Sequence, residues 1–417
     1  MSQSLLVQGI GIVTSDTKKT AILADEVSIL PRVLFAHCPK TGGTTLSSIF
    51  AANYAACPIV ENLRFGCDTS LFGEINKVEN RYVAGHFPVS IANLNAFDEK
   101  LTILRNPLDL VCSTISYTGQ TFDIDPRVLS ALETGNKLEI YRGYFSDRFD
   151  LWRYLIDHEY GLTSDFFQYA EECRAEDAAE ILQGFNRILS FDQLDAEIKK
   201  VIMDFGFFPY SSIPRKRSYN YKPNYETGRR LVSDFDEKFY SLMQSRFATR
   251  LEEIDFQYEL YRIHYCANRG ISLEVFQGKT IDFKCPFGVG WHSAELSELG
   301  KVFVWSDSAA PTIELPIANA GTYMVYLYLD SSRATDLTIK ITTLIGRRSV
   351  PVDVFESEGV SRYQCCISLQ SADWIYANLE IDLDPDRISL LNSKSPLDER
   401  SRGIVLGNIY IKRLPSI

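Results

Sequence analysis

The sequence lacks several features that would place it in a specialised structural class. It contains no run of about 18 apolar residues, the length that a membrane-spanning helix needs. Its nine cysteines form no CxxC pair, and their odd number and scattered positions fit neither a zinc site nor a disulfide framework. We therefore expect no metal site, a reducing compartment and a cytoplasmic protein.

Basic residues are fewer than acidic ones. Lys and Arg total 43 against 54 Asp and Glu, which gives a formal net charge of −11. This balance disfavours general binding to nucleic acid or to an anionic membrane surface, although a local basic pocket stays possible. The opening residues lack the basic segment and apolar segment of a signal peptide, so we expect no secretion and no integral membrane contact.

The composition that is present is that of a folded protein. Apolar residues make up 45% of the chain and charged residues 23%, which excludes a disordered, collagenous or coiled-coil protein. A length of 417 residues predicts two or three domains.

The pattern of apolar residues differs between the two parts of the chain. From residue 33 to about 260, short apolar strands alternate with helical stretches, which is typical of a mainly parallel sheet flanked by helices. After about residue 270, short alternating segments between turn residues favour an all-β sandwich. We predict an N-terminal extension over residues 1–30, an α/β domain over 31–270 and a β-sandwich domain over 271–417.

The first candidate site lies in the segment from residue 33 to residue 54. A buried strand, 33–38, runs into the turn Pro39-Lys40-Thr41-Gly42-Gly43, and a helix is predicted from Thr44 to about Tyr54. Two glycines let the backbone approach a ligand, and N–H groups at a helix N-terminus favour an anion such as phosphate or sulfate. The lysine precedes the glycines, so this is not the Walker A pattern of NTP kinases. The alternative is a Gly-Gly turn with a solvated lysine.

Two more predicted strands end in polar residues. The strand Tyr82 to His86 ends in a Gly-His pair, and the strand Leu101 to Leu104 is followed by Arg105-Asn106-Pro107 and a helix through about Tyr117. Further along, the pattern predicts a strand from Arg187 to Phe191 and amphipathic helices over 192–205 and 228–250.

Three of these segments together, HCPKTGGTTL (37–46), GHFP (85–88) and LRNPLDLVCS (104–113), resemble the PAPS-dependent sulfotransferases, in particular the carbohydrate branch and its bacterial relatives. The resemblance covers roughly residues 30–260 and implies a P-loop-like α/β fold. It also implies transfer of a sulfuryl group from 3′-phosphoadenosine 5′-phosphosulfate (PAPS) to an acceptor hydroxyl, preferably on a carbohydrate or glycolipid, with release of PAP. Leu110 departs from the family, which often has arginine there.

The resemblance also implies roles for single residues. Lys40 would contact the bridging or 5′-phosphate oxygens and take part in catalysis, and Arg105 and Ser113 would bind the 3′-phosphate. His86 takes the position of the catalytic base, and histidine suits that role because it titrates near neutral pH. The 5′-phosphate cradle would be formed by Thr41, Gly42, Gly43, Thr44 and Thr45.

Other candidates have simpler explanations. The basic segment 213–222 could close over the nucleotide or stay a solvated loop, and Asp192 is best explained as a helix N-cap. We expect His37 to be packed on its strand, His158 to be solvated and Cys38 to be a small buried residue. Trp291 and Trp305 are expected in the core rather than on a sugar-binding surface, and Cys365 and Cys366 on opposite faces of a strand.

Two alternatives from other functional classes stay open. An atypical P-loop nucleotide kinase or phosphotransferase would bind ATP with magnesium. A non-catalytic glycan-binding scaffold would carry a relict donor site and bind sugar through the sandwich.

Overall fold

The computed structural model describes the chain in segments. These are residues 30–37, 40–54, 59–64, 71–86, 89, 92–113, 174–211, 213, 225–247, 253–273, 278–280, 288, 291, 295–296, 302–306, 311–330, 334–344, 351–357, 360–383 and 404–415. The predictions for Cys38, Pro39, His158 and residues 214–222 lie outside this part.

The chain divides into two compact units. The first unit comprises Met1–Glu197 and Arg217–Leu251, and the second comprises Ile198–Lys216 and Glu252–Ile417. The predicted domain boundary near residue 270 stays a prediction.

A five-stranded parallel sheet forms the centre of the first unit. Its strands are β1 (Val33–Ala36), β2 (Ile59–Arg64), β3 (Tyr82–His86), β4 (Glu99–Leu104) and β5 (Arg187–Ser190), in the order β2-β3-β1-β4-β5. All four residues of β1 are buried. A run of apolar residues without alternation is typical of a strand covered on both faces, which is the situation in parallel sheets.

The strand register brings the strand ends together. Ala36 of β1 pairs with Gly85 of β3, and Leu104 of β4 pairs with Ser190 of β5. Because the strands are parallel, the loops that follow β1, β3, β4 and β5 leave the same edge of the sheet. The strands β3 and β4 lie on opposite sides of β1, so the strand order reverses its direction at β1. Ligands of open α/β sheets bind at such a reversal.

Arg32 stabilises the start of β1. Its buried side chain donates hydrogen bonds to four carbonyl groups, those of Ile75, Lys77, Asn80 and Ala96, at 2.6 to 3.1 Å. Its guanidinium also lies 4.2 Å from the ring centroid of Phe97. These contacts tie the segment before β3 and the segment before β4 to the amino end of the central strand.

The helices of the first unit follow the strands. They are α1 (Gly43–Asn53), α2 (Leu71–Asn76), a helical segment over residues 107–113, α3 (Ala175–Gln183), α4 (Leu194–Phe205, which continues into the second unit), α5 (Tyr225–Leu231) and α6 (Asp234–Met243). Phe50 of α1 stacks on Tyr82 of β3 at 5.1 Å between centroids, and Tyr82 Oη donates to Ser47 Oγ. These contacts fix α1 against the sheet.

The predicted helix over 228–250 is wrong as one continuous element. The structure has α5 and α6 with a break between them, followed by a 3₁₀ turn, Gln244–Arg246. The side chain of Ser233 accepts a hydrogen bond from the Asp236 N–H and so caps α6. This local cap starts a new helix where the apolar periodicity alone predicts continuation.

The second unit contains two antiparallel sheets. Their strands are β6 (Gly278–Thr280), β7 (Glu295–Leu296), β8 (Val302–Trp305), β9 (Thr312–Ile317), β10 (Gly321–Asp330), β11 (Ala334–Thr343), β12 (Asp353–Ser357), β13 (Val360–Leu369), β14 (Asp373–Leu383) and β15 (Val405–Leu414). One sheet has the order β12-β13-β10-β15-β8-β7, with β6 paired to β15, and the other has the order β11-β14-β9. Helix α7, Ile254–Arg269, precedes them.

Side chains from both sheets form one core. Ile313 and Leu379 from the three-stranded sheet and Val325, Leu327 and Ile411 from the seven-stranded sheet belong to the same buried cluster. Two sheets that share one core form a sandwich, as predicted. Trp291 is buried and donates to the Thr312 carbonyl, which confirms its place in the core.

The two adjacent cysteines of β13 point to opposite sides. Cys365 is buried and Cys366 is exposed, as the period of a strand predicts. Within the described residues, no helix is long and apolar enough to cross a membrane.

Candidate functional site at the carboxyl edge of the parallel sheet

The loop between β1 and α1 contains two residues with left-handed backbone conformation. Lys40 has φ 68° and Gly42 has φ 81°. Gly42 is favoured at its position for a second reason, because a Cβ there would lie 2.6 Å from Leu194 Cδ2. Gly42 also caps α1 without a side-chain hydrogen bond, and the first turn of α1 contains no acidic residue. The positive end of this helix therefore has no carboxylate of its own, which favours an anionic ligand.

The side chains of the loop differ in accessibility. Thr41 and Thr45 are buried, Lys40 is half-buried and Thr44 is exposed. Of the three threonines predicted to cradle a phosphate, Thr44 is thus the one whose hydroxyl faces solvent. Gly43 packs directly against His37, since a Cβ at this position would overlap the imidazole ring.

His37 and His86 lie next to each other at the ends of β1 and β3. Their ring centroids are 4.3 Å apart with the planes at 67°, and His37 stacks on Phe35 at 4.6 Å. His37 is buried, which agrees with its predicted packed role. His86 is half-buried at the edge of the sheet.

A backbone contact sets the tautomer of His86. Its Nδ1 lies 2.8 Å from the carbonyl oxygen of His37. A carbonyl only accepts hydrogen bonds, so Nδ1 carries the proton in the neutral ring and Nε2 is the nitrogen with the lone pair. The neutral imidazole is thereby arranged with Nε2 as the proton acceptor.

Arg105 joins the end of β4 to the β1–α1 loop. Its Nη1 donates to the carbonyl oxygen of Lys40 at 2.8 Å, and its guanidinium lies 4.1 Å from the centroid of the Phe191 ring. Its Nε is buried without a hydrogen-bond partner among the described residues. Burial lowers the pKa of Arg105, while Asp109 and Asp192 act in the opposite direction. A half-buried cation with an unused donor is a suitable partner for an anion.

The helical segment after Arg105 begins with a local cap. Asn106 Oδ1 accepts from the Leu108 N–H at 3.0 Å, and Pro107 takes the first helical position, where its missing N–H has no cost. Leu110 is buried in this segment, which gives a packing reason for an apolar residue there. Ser113 is half-buried two turns on and makes no hydrogen bond to Arg105 among the described residues.

Asp192 has a different role from the predicted helix cap. It lies within a 3₁₀ turn, Phe191–Gln193, and its Oδ2 accepts from Tyr240 Oη at 3.3 Å. Burial, together with the carboxylate of Asp192, raises the pKa of Tyr240 to about 12. Tyr240 is therefore a neutral hydrogen-bond donor at neutral pH.

The structure thus brings most of the predicted residues into one chain of contacts. His86 contacts His37, His37 packs on Gly43, and Lys40 accepts from Arg105. Two contributors were missed from the sequence, the carbonyl of His37 and the ring of Phe191. The aromatic residue at the end of a predicted strand was a signal for Phe191, whereas nothing in the sequence marks a backbone carbonyl.

No family model matches the chain, and no curated protein matches it either. Solved structures with a similar fold include a sulfotransferase from Alicyclobacillus acidocaldarius, at 13% identity over 51% of this chain and 94% of that chain, with a TM-score of 0.27. They also include the C-terminal CBM6 of LamC, a marine laminarinase from Zobellia galactanivorans, at 10% identity over 33% of this chain and 100% of that chain, with a TM-score of 0.23. A β-1,3-glucan binding CBM6 from Bacillus halodurans is 8% identical over 34% of this chain and 96% of that chain, with a TM-score of 0.22.

Proposed function

We propose that the first unit is a sulfotransferase that moves the sulfuryl group of PAPS to an acceptor hydroxyl, with His86 as the general base. The observation that carries this proposal is the hydrogen bond from Arg105 Nη1 to the Lys40 carbonyl. It joins two separate segments suited to anions, as a donor with both a 5′-phosphosulfate and a 3′-phosphate requires. A ligand with one phosphate group would need only one of them.

The β1–α1 loop is suited to the phosphosulfate end of the donor. The left-handed Lys40 and Gly42 curve the backbone, and α1 begins at Gly43 without an acidic side chain in its first turn. Lys40 adds a point charge that would stabilise negative charge on the leaving phosphate, and the exposed Thr44 hydroxyl adds a donor. Thr41 and Thr45 would contribute through their backbone.

Arg105 is suited to the 3′-phosphate. Its Nη1 is used by the Lys40 carbonyl, while Nε has no partner among the described residues. The Phe191 ring restricts the plane of the guanidinium, and Nε would donate to a phosphate oxygen. The half-buried Ser113 is a candidate for a further donor to the same phosphate.

His86 is suited to remove the acceptor proton. In the reaction, the acceptor oxygen forms a bond to sulfur, the bond from sulfur to the bridging phosphate oxygen breaks, and the hydroxyl proton must leave. His86 Nε2 would take that proton, because Nδ1–H is held by the His37 carbonyl. A carbohydrate or glycolipid hydroxyl is the preferred acceptor class, because the motifs resemble the carbohydrate branch of the family and a sandwich follows the first unit.

The donor site can be tested without knowing the acceptor. We expect calorimetry to show tight binding of adenosine 3′,5′-bisphosphate without metal, and weaker binding of ATP with magnesium. Arg105→Ala should weaken the binding of adenosine 3′,5′-bisphosphate by at least about tenfold, because charge-assisted hydrogen bonds contribute roughly 1.5–3 kcal/mol. The affinity for adenosine 5′-phosphate should change little. Arg187→Ala, which removes a half-exposed arginine of β5 paired with Glu99, is the control.

Two outcomes would contradict the proposal as a whole, and a third would contradict the role of Arg105. A preference for ATP with magnesium would favour a nucleotide kinase or phosphotransferase. Binding of neither nucleotide would favour a scaffold with a relict donor site. Equal weakening of both adenosine nucleotides by Arg105→Ala would show that Arg105 does not read the 3′-phosphate.

A further inference from the structure

The seven-stranded sheet of the second unit has an outer face of aromatic and polar side chains. Val325 and Leu327 of β10 belong to the buried core, so the alternating residues Tyr326 and Tyr328 point to the opposite side. Both tyrosines are half-buried.

Neighbouring strands add to the same face, because paired residues of antiparallel strands point to the same side. Arg362 of β13 lies between Tyr328 on one side and Phe355 of the edge strand β12 on the other. In the next row, Gln364 pairs with Tyr326, which pairs with Tyr410 of β15. We call these six residues the Arg362 face.

Arg362 is held by rings rather than by an acid. Its guanidinium carbon lies 4.6 Å from the centroid of Phe355 and 5.8 Å from that of Tyr326. Among the described residues, its buried Nε has no hydrogen-bond partner and no carboxylate forms an ion pair with it. Asp353 of the edge strand β12 is exposed, and its partner in the strand register is Gln364 rather than Arg362. The donors of this guanidinium therefore have unused capacity, and the flanking rings restrict its orientation.

The remaining side chains of the face suit a sugar ring that carries an anionic group. Tyr326 and Tyr410 lie 5.8 Å apart and Phe355 is 44% exposed, so flat apolar surfaces are accessible for the C–H faces of pyranose rings. Gln364 and Asp353 offer planar hydrogen-bonding groups for hydroxyls.

We propose that the Arg362 face binds an acidic saccharide, with Arg362 forming paired hydrogen bonds to a carboxylate or sulfate group and the neighbouring rings stacking on the sugar. This site lies in the second unit and its test needs neither PAPS nor turnover. Failure of the donor-site experiment therefore leaves the proposal standing, and the reverse also holds.

The test measures binding of the full chain to defined polysaccharides. Affinity electrophoresis would compare dextran sulfate, polygalacturonate, uncharged dextran and polyglutamate. We expect retardation by dextran sulfate, polygalacturonate or both, and the responding polymer identifies the anion. Uncharged dextran and polyglutamate should have little effect.

Variants locate the site. Arg362→Gln should weaken binding by at least tenfold, and Arg362→Lys should restore it only in part because an ammonium group cannot form the paired contacts of a guanidinium. Phe355→Leu changes an exposed side chain on an edge strand and should also weaken binding. The control is Lys340→Gln, which removes one positive charge from an exposed pair with Glu380 on the other sheet. Unfolding curves of each variant report whether the fold is retained.

Three results would overturn the proposal. These are no retardation of the wild-type chain by either acidic polysaccharide, equal retardation by polyglutamate, or equal losses in Arg362→Gln and Lys340→Gln. The last result would show that general charge, rather than this face, holds the polymer.

Discussion

His86 is the single residue that separates catalysis from binding in the proposed site. Its Nδ1 is committed to the His37 carbonyl, so its other ring nitrogen is the proton acceptor in the neutral form. Nothing in this arrangement requires His86 to hold the nucleotide, because Lys40, Arg105 and the start of α1 supply the anion-binding groups. Binding and turnover should therefore respond differently to its removal.

We expect His86→Ala to lower turnover by roughly 100-fold or more, the usual contribution of a general base, with little change in affinity for adenosine 3′,5′-bisphosphate. Calorimetry gives the affinity, and sulfate transfer to a carbohydrate acceptor gives the rate. His264→Ala, an exposed histidine on α7, is the control for the same change. If rate and affinity fall together, His86 is a structural residue.

Sequence reasoning found the titratable groups of this site but not what orients them. Lys40 and Arg105 stand out because they follow predicted buried strands, and His86 stands out because it ends one. The Phe191 ring beneath Arg105 and the carbonyl that orients His86 were not found. Arg105 and Phe191 are separated by more than eighty positions along the chain. The pairing of β4 with β5 brings them together.

At the scale of elements, the start of α1 is the most constrained position of the site. Gly43 leaves room for the His37 ring, and that ring in turn contacts His86. A side chain at Gly43 would push α1 away from the ends of β1 and β3. Both the helix N-terminus and the histidine pair would then be displaced.

Gly43→Ala should destabilise the protein by about 1–3 kcal/mol, the usual cost of overpacking. It should also weaken the binding of adenosine 3′,5′-bisphosphate. Denaturant unfolding and calorimetry measure the two effects. The matched control is Gly73→Ala in α2, where a Cβ would meet nothing within 4 Å, so a neutral or slightly stabilising effect is expected. Similar losses in both variants would mean that the crowding at Gly43 is not the cause.

Elements were predictable where their signals are local. Apolar runs located β1, β3 and β4, and the helix after the Gly-Gly turn begins within one residue of its predicted start. The strand predicted through Phe191 ends at Ser190, because Phe191 turns into a 3₁₀ segment. The break between α5 and α6 was missed, since the Ser233 cap lies inside an otherwise continuous amphipathic pattern.

At the scale of the whole molecule, a buried ion pair connects distant segments of the second unit. Arg262 of α7 and Glu314 of β9 are both buried, with 3.8 Å between Nη2 and Oε2. Glu314 also accepts from the Ser211 N–H and hydroxyl, and Arg262 donates to Tyr376 of β14. Burial raises the pKa of Glu314, while the Ser211 hydrogen bonds and Arg262 oppose that rise.

We expect Arg262→Met to destabilise the second unit by about 3–5 kcal/mol near pH 7, because it leaves the Glu314 charge buried without its cation. The pKa of Glu314 would then rise further, so the folded variant would hold a proton that the unfolded chain releases above pH 4.5. As the pH rises above 4.5, the unfolded variant loses this proton and the folded variant keeps it, so the free energy of unfolding of the variant falls. The stability difference between variant and wild type therefore shrinks as the pH falls toward 4.5.

Thermal and denaturant unfolding at several pH values check this expectation. Arg174→Met, at an exposed pair with Asp177, is the control and should change stability little at any pH. A deficit in Arg262→Met that does not depend on pH would mean that lost packing, rather than the buried charge of Glu314, is responsible.

The sequence by itself determined what depends on neighbouring residues. Apolar runs specify buried strands, the Gly-Gly turn specifies an anion-suited loop before a helix, and alternating segments after residue 270 specify antiparallel strands. Only the tertiary structure decided which charged groups meet. Arg105 reaches the Lys40 carbonyl 65 positions away, Arg362 lies between two rings, and Arg262 pairs with Glu314. The physical reason is that these contacts follow from strand order and packing, and no local pattern of residues encodes a partner that far along the chain.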